Sequence, residues 1–231
     1  YKEDNCQRFK IKGNHRLNPV EQDLNMKMHK AISIIHFKLE GQLLMRRREF
    51  GMADRALLDD IDYTERTIRL KGKEYKLLDS YFPTIDAENP YELSKEEKEV
   101  MERLVSAFIS CEKLQSHIRF LLKKGSMYKI FNGNLLYHGC IPMNEDGTLK
   151  EVQIFEKYYK GKALYDVLES YVRKAFMARD GKEKERGKDI LWYIWISPNS
   201  PLFGKTKMAT FERYFLEEKE THQEIKNPYY N

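Results

Sequence analysis

Apolar residues recur at helical spacing through the first part of the chain. After Asn18-Pro19, Leu24, Met28, Ala31, Ile35, Leu39 and Leu43 follow one another at steps of three and four, which defines one face of an α-helix. Asn is a good N-cap and Pro is tolerated at the first helical position, so the helix is predicted to open there. Ile32, Ile34, Phe37 and Leu44 widen the stripe and predict cover on more than one side. Arg46, Arg47 and Arg48 close the helix, where cations suit its negative end and a solvated terminus is expected. A second helix fits Ala53 to Ile61. Thr67 to Leu70 and Glu74 to Leu78, separated by Lys71-Gly72-Lys73, read as a hairpin, and Tyr81 to Pro90 as a loop. Ser94 and Glu97 have the spacing of a capping box, in which each side chain bonds the other's free backbone N–H. The helix it starts carries Val100, Leu104, Phe108, Cys111, Ile118 and Leu121 on or near one face and is predicted to end near Lys124-Gly125.

The pattern changes after Gly125. Met127 to Phe131 and Asn134 to Ile141 read as two short strands meeting across Asn132-Gly133, a strong hairpin-turn signal. Leu135, Leu136 and Tyr137 predict a buried strand that empties at His138 into a loop. Ala163 to Met177 is a further helix, and Asp180 to Asp189, nearly all charged or glycine, an exposed loop. Ile190 to Ile196, Ile-Leu-Trp-Tyr-Ile-Trp-Ile, is apolar throughout and predicts a central strand covered on both faces. It empties into Ser197 to Gly204, followed by Lys205, Lys207 and Arg213. The elements together predict an α+β fold.

Totals narrow the picture. The chain has 231 residues, 41% of them hydrophobic, enough for a real core in one large domain or two small ones. Its 41 basic and 36 acidic residues leave a net charge of +5, too small at this length to indicate nucleic acid by itself. The Arg46 to Arg48 run and the lysine-rich loops keep a nucleic-acid reading open, but no recognition motif accompanies them, and no such partner is expected. Cys6, Cys111 and Cys140 are odd in number and widely spaced, which argues against a disulfide framework and for a reducing, cytoplasmic setting. No apolar run approaches the roughly 20 residues that span a bilayer, so no membrane partner is expected. The chain starts at Tyr1 and stops after Pro228-Tyr229-Tyr230-Asn231, which suggests a piece of a longer polypeptide.

Candidate chemistry concentrates in the second half. His138, at a strand end with Gly139 leaving room for a metal, a phosphate or a second chain segment, suits a metal ligand; a histidine satisfied within a core is the even alternative. The loop holding His138 and the loop holding Asn199 and Ser200 are expected at one edge. Lys205, Lys207 and Arg213 nearby could grip an anion, against the plainer reading of a tight turn with surface lysines. His29 and His36, seven apart on the first helix, suit packing better than shared ligation. Gly13-Asn14-His15 imitates a metallophosphoesterase motif, but Arg16 follows where that motif has an acidic residue, so it reads as a loop coincidence. Asp54-Arg55 is a similar decoy.

Leu-Tyr-His-Gly-Cys-Ile-Pro, ending at Pro142, resembles the His-Gly motif of calcineurin-like metallophosphoesterases. Met28 to Gln42, Asn134 to Gly147 and Ser200-Pro-Leu-Phe-Gly-Lys-Thr-Lys-Met-Ala-Thr-Phe-Glu-Arg-Tyr-Phe215 together resemble the class III, Firmicutes-type fructose-1,6-bisphosphatases, manganese-dependent enzymes of gluconeogenesis. The resemblance implies hydrolysis of a sugar bisphosphate at a two-metal site with His138 as one ligand. It also implies part of a β-sandwich core over 124–231, a helical insertion over 19–123 and an irregular lead-in over 1–18. That family's aspartate-rich motifs and its later Gly-His motif have no counterpart here, so the remaining ligands are expected outside this chain, which alone should be inactive. A non-enzymatic helical interaction module or subunit contact is the alternative, and a homo-oligomer stays open.

Overall fold

A computed structural model describes residues 1, 3–4, 6–11, 17–179 and 181–226. Gly13-Asn14-His15 lies outside them. In chain order the helices are α1 (Pro19–Arg46), α2 (Lys95–Ser110), α3 (Glu112–Lys124), α4 (Lys162–Met177), α5 (Gly181–Ile196) and α6 (Thr210–Phe215). The strands are β1 (Ile61–Asp62), β2 (Thr67–Leu70), β3 (Lys73–Lys76), β4 (Tyr128–Phe131), β5 (Asn134–Tyr137), β6 (Val152–Ile154), β7 (Lys157–Tyr159), β8 (Lys205–Lys207) and β9 (Ile225–Lys226). Long helices and small antiparallel sheets make an α+β fold. Among the described residues, the sheets are β1-β2-β3 and the pairs β4-β5, β6-β7 and β8-β9.

The chain divides into two compact units. The first comprises Tyr1–Arg46, Met52–Glu102 and Ala209–Gln223. Its core gathers Phe9, Ile34, Leu58, Ile68, Phe82, Phe211 and Phe215, each buried and each contributing about 1.5–3 kcal/mol by leaving water. Asn18 caps α1 reciprocally with Glu21, two bonds of 3.0 Å. The buried face of α1 follows the predicted stripe only in part: Ile35 and Leu43 are buried, with Ile34 and Leu44 beside them, but Leu24 and Met28 are exposed, and Met26, Lys30 and Lys38 are buried where no stripe was predicted. Both lysines are tolerated there because carboxylates meet them. Lys30 reaches Asp4 at 2.5 Å and Asp79 at 2.7 Å, and Lys38 reaches Glu97 at 2.7 Å and the Thr84 carbonyl at 2.5 Å. Ser94 and Glu97 form the expected capping box, at 2.8 and 3.2 Å.

Ala53 to Ile61 is not one helix but two short 3-10 turns, Ala53–Arg55 and Leu57–Asp60, with Ile61 leaving to pair with Ile68. Ala56 at ψ 60° interrupts the helical geometry, and Ile61 leaves it at ψ 125°. The helix expected to run to Lys124 is broken at Cys111, which is extended at φ −77° and ψ 97°.

The second unit comprises Arg47–Gly51, Arg103–Met208 and Glu224–Asn231. The Ile190–Ile196 run is the C-terminal half of α5, and Gly181–Asp189 is its N-terminal half rather than a loop. The run is not covered on both faces. Leu191 and Trp195 are exposed, whereas Gly187, Ile190, Tyr193 and Ile196 are buried, a step of three that a helix supplies and a strand cannot. Gly187 lets α5 approach α4, since a Cβ there would lie 1.9 Å from that of Ala175. Arg47, expected at a solvated helix end, is instead half-buried and bonds the buried Asp189 at 2.7 Å.

Candidate functional site

The β4–β5 hairpin delivers the candidate histidine. Asn132 and Gly133 sit at φ 49° and 76°, the left-handed pair a tight hairpin turn requires, and the ladder aligns Tyr128 with Tyr137 and Phe131 with Asn134. The strand is not buried as expected: Leu135, Leu136 and Tyr137 are exposed, because no second layer covers them among the described residues. His138 follows on a bend and is exposed as well, which removes the reading of a histidine enclosed in a core.

The backbone beneath it is fixed. Gly139 has φ +95°, and a Cβ there would lie 2.1 Å from the Pro201 carbonyl oxygen, so the glycine makes room for a second chain segment. The Cys140 N–H donates to that same carbonyl at 2.9 Å, the Cys140 thiol lies 3.7 Å from the Ser200 carbonyl, and the Tyr165 hydroxyl donates to the Cys140 carbonyl at 2.9 Å. The two loops expected at one edge thus do meet, although a helix rather than a strand delivers the second.

That difference alters the chemistry of the second loop. Ser200 is fully buried; its hydroxyl donates to the Ile194 carbonyl at 2.6 Å and accepts from the Leu202 N–H at 3.1 Å. It pins the end of α5 and has its hydrogen-bonding capacity used within the chain. The Asn199 N–H donates to the Ser197 hydroxyl at 3.1 Å, leaving its side-chain amide to contribute. A helix C-terminus is electronegative and disfavours an anion beside it by a few tenths to about 1 kcal/mol, so phosphate is better served by the cations that follow.

Lys205 and Lys207 lie on β8, paired with Lys226 and Ile225 of β9 across a register shift between them. Lys205 forms an ion pair with Glu224 at 2.6 Å, and Lys207 is half-buried. Arg213 belongs to α6 in the first unit; its exposed guanidinium donates to the His222 carbonyl at 3.4 Å. His29 packs as expected: its Nδ1–H donates to the Phe9 carbonyl at 2.9 Å and its Nε2 accepts from the Tyr214 hydroxyl at 3.0 Å.

Among the described residues, no group of three or more His, Cys, Asp or Glu side chains could hold an ion. The described residues by themselves therefore do not make a metal site, and His138 offers one exposed imidazole on a bend. Among the same residues, no helix is long and apolar enough to cross a membrane.

The family model described as Firmicute fructose-1,6-bisphosphatase matches residues 1–231. The chain is similar to the class 3 fructose-1,6-bisphosphatase of Clostridium botulinum (strain Loch Maree / Type A3), 56% identical over 232 residues, covering all of this chain and 35% of that protein. It is also similar to that of Listeria innocua serovar 6a, 52% identical over 233 residues, covering all of this chain and 36% of that protein. The chain thus spans about a third of the length of the curated relatives it matches. No solved structure matches it.

Proposed function

Because the chain belongs to the Firmicute fructose-1,6-bisphosphatase family, we propose that it forms part of a phosphatase acting on fructose 1,6-bisphosphate. The observation that carries this is the match over every residue of the chain. In the reaction, water adds at phosphorus as the P–O bond to the sugar breaks, giving fructose 6-phosphate and inorganic phosphate.

In this reading His138 acts as a metal ligand. It presents its imidazole from a backbone held by Gly139 and Cys140, and serves as one ligand of a divalent-metal site, manganese by family resemblance, whose other ligands come from outside residues 1–231. The Asn199 amide, Lys205, Lys207 and Arg213 contribute to holding phosphate oxygens. In this reading, residues 124–231 are part of a metallophosphoesterase core and 19–123 a helical insertion. Its setting is cytoplasmic, a reading supported by the odd number and wide spacing of Cys6, Cys111 and Cys140.

The test is phosphate release from fructose 1,6-bisphosphate by a polypeptide of the relatives' full length that carries this chain. Activity lost to a chelator and restored by manganese is the expected result; no release under any divalent ion contradicts it. Arg213→Ala should raise KM about tenfold with little change in kcat, the pattern of lost ground-state binding.

A subunit-contact role is the second reading, favoured by the exposure of Phe108 and Ile109 on α2 and of Phe120 and Leu121 on α3. A second copy of the chain is the partner it commits to. Sedimentation of the metal-free protein as a dimer, indifferent to His138→Ala, would support it; a monomer would remove it.

A further inference from the structure

Arg213 stands on a helix too short to hold itself. α6 has six residues, and Leu216 after it is extended at φ −119° and ψ 152°. So short a helix is marginal in water, and the carbonyls of its last turn have no partner within it. The start of the chain supplies one. Within the first unit, the Arg8 guanidinium donates to the Arg213 carbonyl at 3.2 Å and to the Leu216 carbonyl at 2.6 Å, from 205 and 208 residues away in sequence. Gln7–Phe9 form a 3-10 turn, which sets Arg8 and Phe9 against the same helix. Phe9, fully buried, stacks on the Tyr214 ring at 4.4 Å with 17° between the planes, and His29 joins the Phe9 carbonyl to the Tyr214 hydroxyl. The loop after α6 closes the other end. The His222 Nε2–H donates to the Leu216 carbonyl at 3.0 Å, and the His222 carbonyl accepts from the Arg213 guanidinium at 3.4 Å.

We infer that Arg8 is a positioning residue for substrate binding: it fixes the last turn of α6 before a phosphate arrives, so that the Arg213 guanidinium grips without first having to be ordered. Arg8 is exposed, as Arg213 is, so its bonds are made where water could replace them and add little to the stability of the core. What they fix is direction. A side chain leaves a helix along a line set by its backbone, and a guanidinium meets a phosphate through a planar fork whose two bonds demand one orientation. An α6 that frayed in the free protein would have to order on binding, and that cost would be taken from affinity. The inference rests on the reading that Arg213 holds phosphate oxygens of the sugar bisphosphate, and it deepens that reading by naming the residue on which the grip depends.

A double-mutant cycle on the full-length polypeptide, read as KM and kcat for fructose 1,6-bisphosphate, tests this. Arg8→Ala is expected to raise KM about three- to fivefold with kcat unchanged. Arg8→Ala combined with Arg213→Ala should raise KM no more than Arg213→Ala does alone, because an absent guanidinium needs no positioning. Should the alanine variant not fold, Arg8→Gln runs the same cycle, with one N–H donor kept for the Leu216 carbonyl and a smaller rise in KM. An unchanged KM in the Arg8 variant would overturn the inference, as would effects that multiply in the double variant. A kcat that falls as far as KM rises would overturn it too, by assigning Arg8 to the fold alone, and so would an Arg213→Ala KM equal to the parent's. Calorimetric binding of fructose 1,6-bisphosphate in a chelating buffer separates this inference from the phosphatase itself. The same cycle in Kd, from a polypeptide that releases no phosphate, would sink the proposed function and leave Arg8 in its role; phosphate release with a KM indifferent to Arg8 would do the reverse.

Discussion

A methyl group at residue 139 would meet the Pro201 carbonyl oxygen at 2.1 Å, on a backbone already in the left-handed region at φ +95°. Gly139→Ala should therefore cost about 2–3 kcal/mol or more in urea unfolding, through strain and loss of the Cys140 N–H bond to Pro201. An unchanged midpoint would mean the two loops are not held together there. Glu40 makes a separate demand. Burial raises its carboxyl from 4.5 to about 7, with the Arg55 guanidinium opposing the shift. A raised folded-state value means that the protonated group's stability is fully present below about 4.5 and is lost as pH rises through about 7. Glu40→Gln should remove that loss, so the variant gains on the order of 2 kcal/mol relative to the parent between pH 5 and pH 8. Parallel thermal-unfolding curves for the two proteins across that range would contradict it.

Elements here are held by contacts of very different reach, and that decides which of them a sequence reveals. Glu97 caps α2 with Ser94, a bond across three residues, and also neutralises the buried Lys38, 59 residues away. Ser94→Ala should cost about 1 kcal/mol, the usual loss of a cap. Glu97→Ala should cost about 3–5 kcal/mol in the same denaturant series, because it strands a buried ammonium. Equal costs would show that the cap alone matters. The capping box, both hairpins with their turn residues and helix α4 were legible because their signals are local. The buried face of α1 was legible only in part, at Ile34, Ile35, Leu43 and Leu44: Lys30 and Lys38 count as polar until Asp4, Asp79 and Glu97 are brought to them by the fold. The Ile190–Ile196 run misled for another reason. Seven consecutive apolar residues carry no period, and the exposed Leu191 and Trp195 could not be told from the buried Ile190 and Tyr193.

For the whole molecule, family membership was the most legible property and the complete site the least. Three stretches, Met28–Gln42, Asn134–Gly147 and Ser200–Phe215, carried the resemblance, and the family model matches the chain throughout. The juxtaposition of the His138 and Ser200 loops was also anticipated, from Gly139 and the polar loop after residue 196, although Ser200 proved to be internal bracing. What the sequence left open is the ligand set around His138, since the described residues supply no converging group of donors. The exposed position of His138 makes it a clean probe, because removing its side chain should leave the fold intact. The deciding measurement is the steady-state release of phosphate from fructose 1,6-bisphosphate by the full-length polypeptide carrying His138→Ala, beside the unaltered protein at saturating manganese. A fall in kcat of about 100-fold or more, with an unchanged unfolding transition, is the predicted result. An unchanged rate would contradict the assignment of His138 to the phosphatase site.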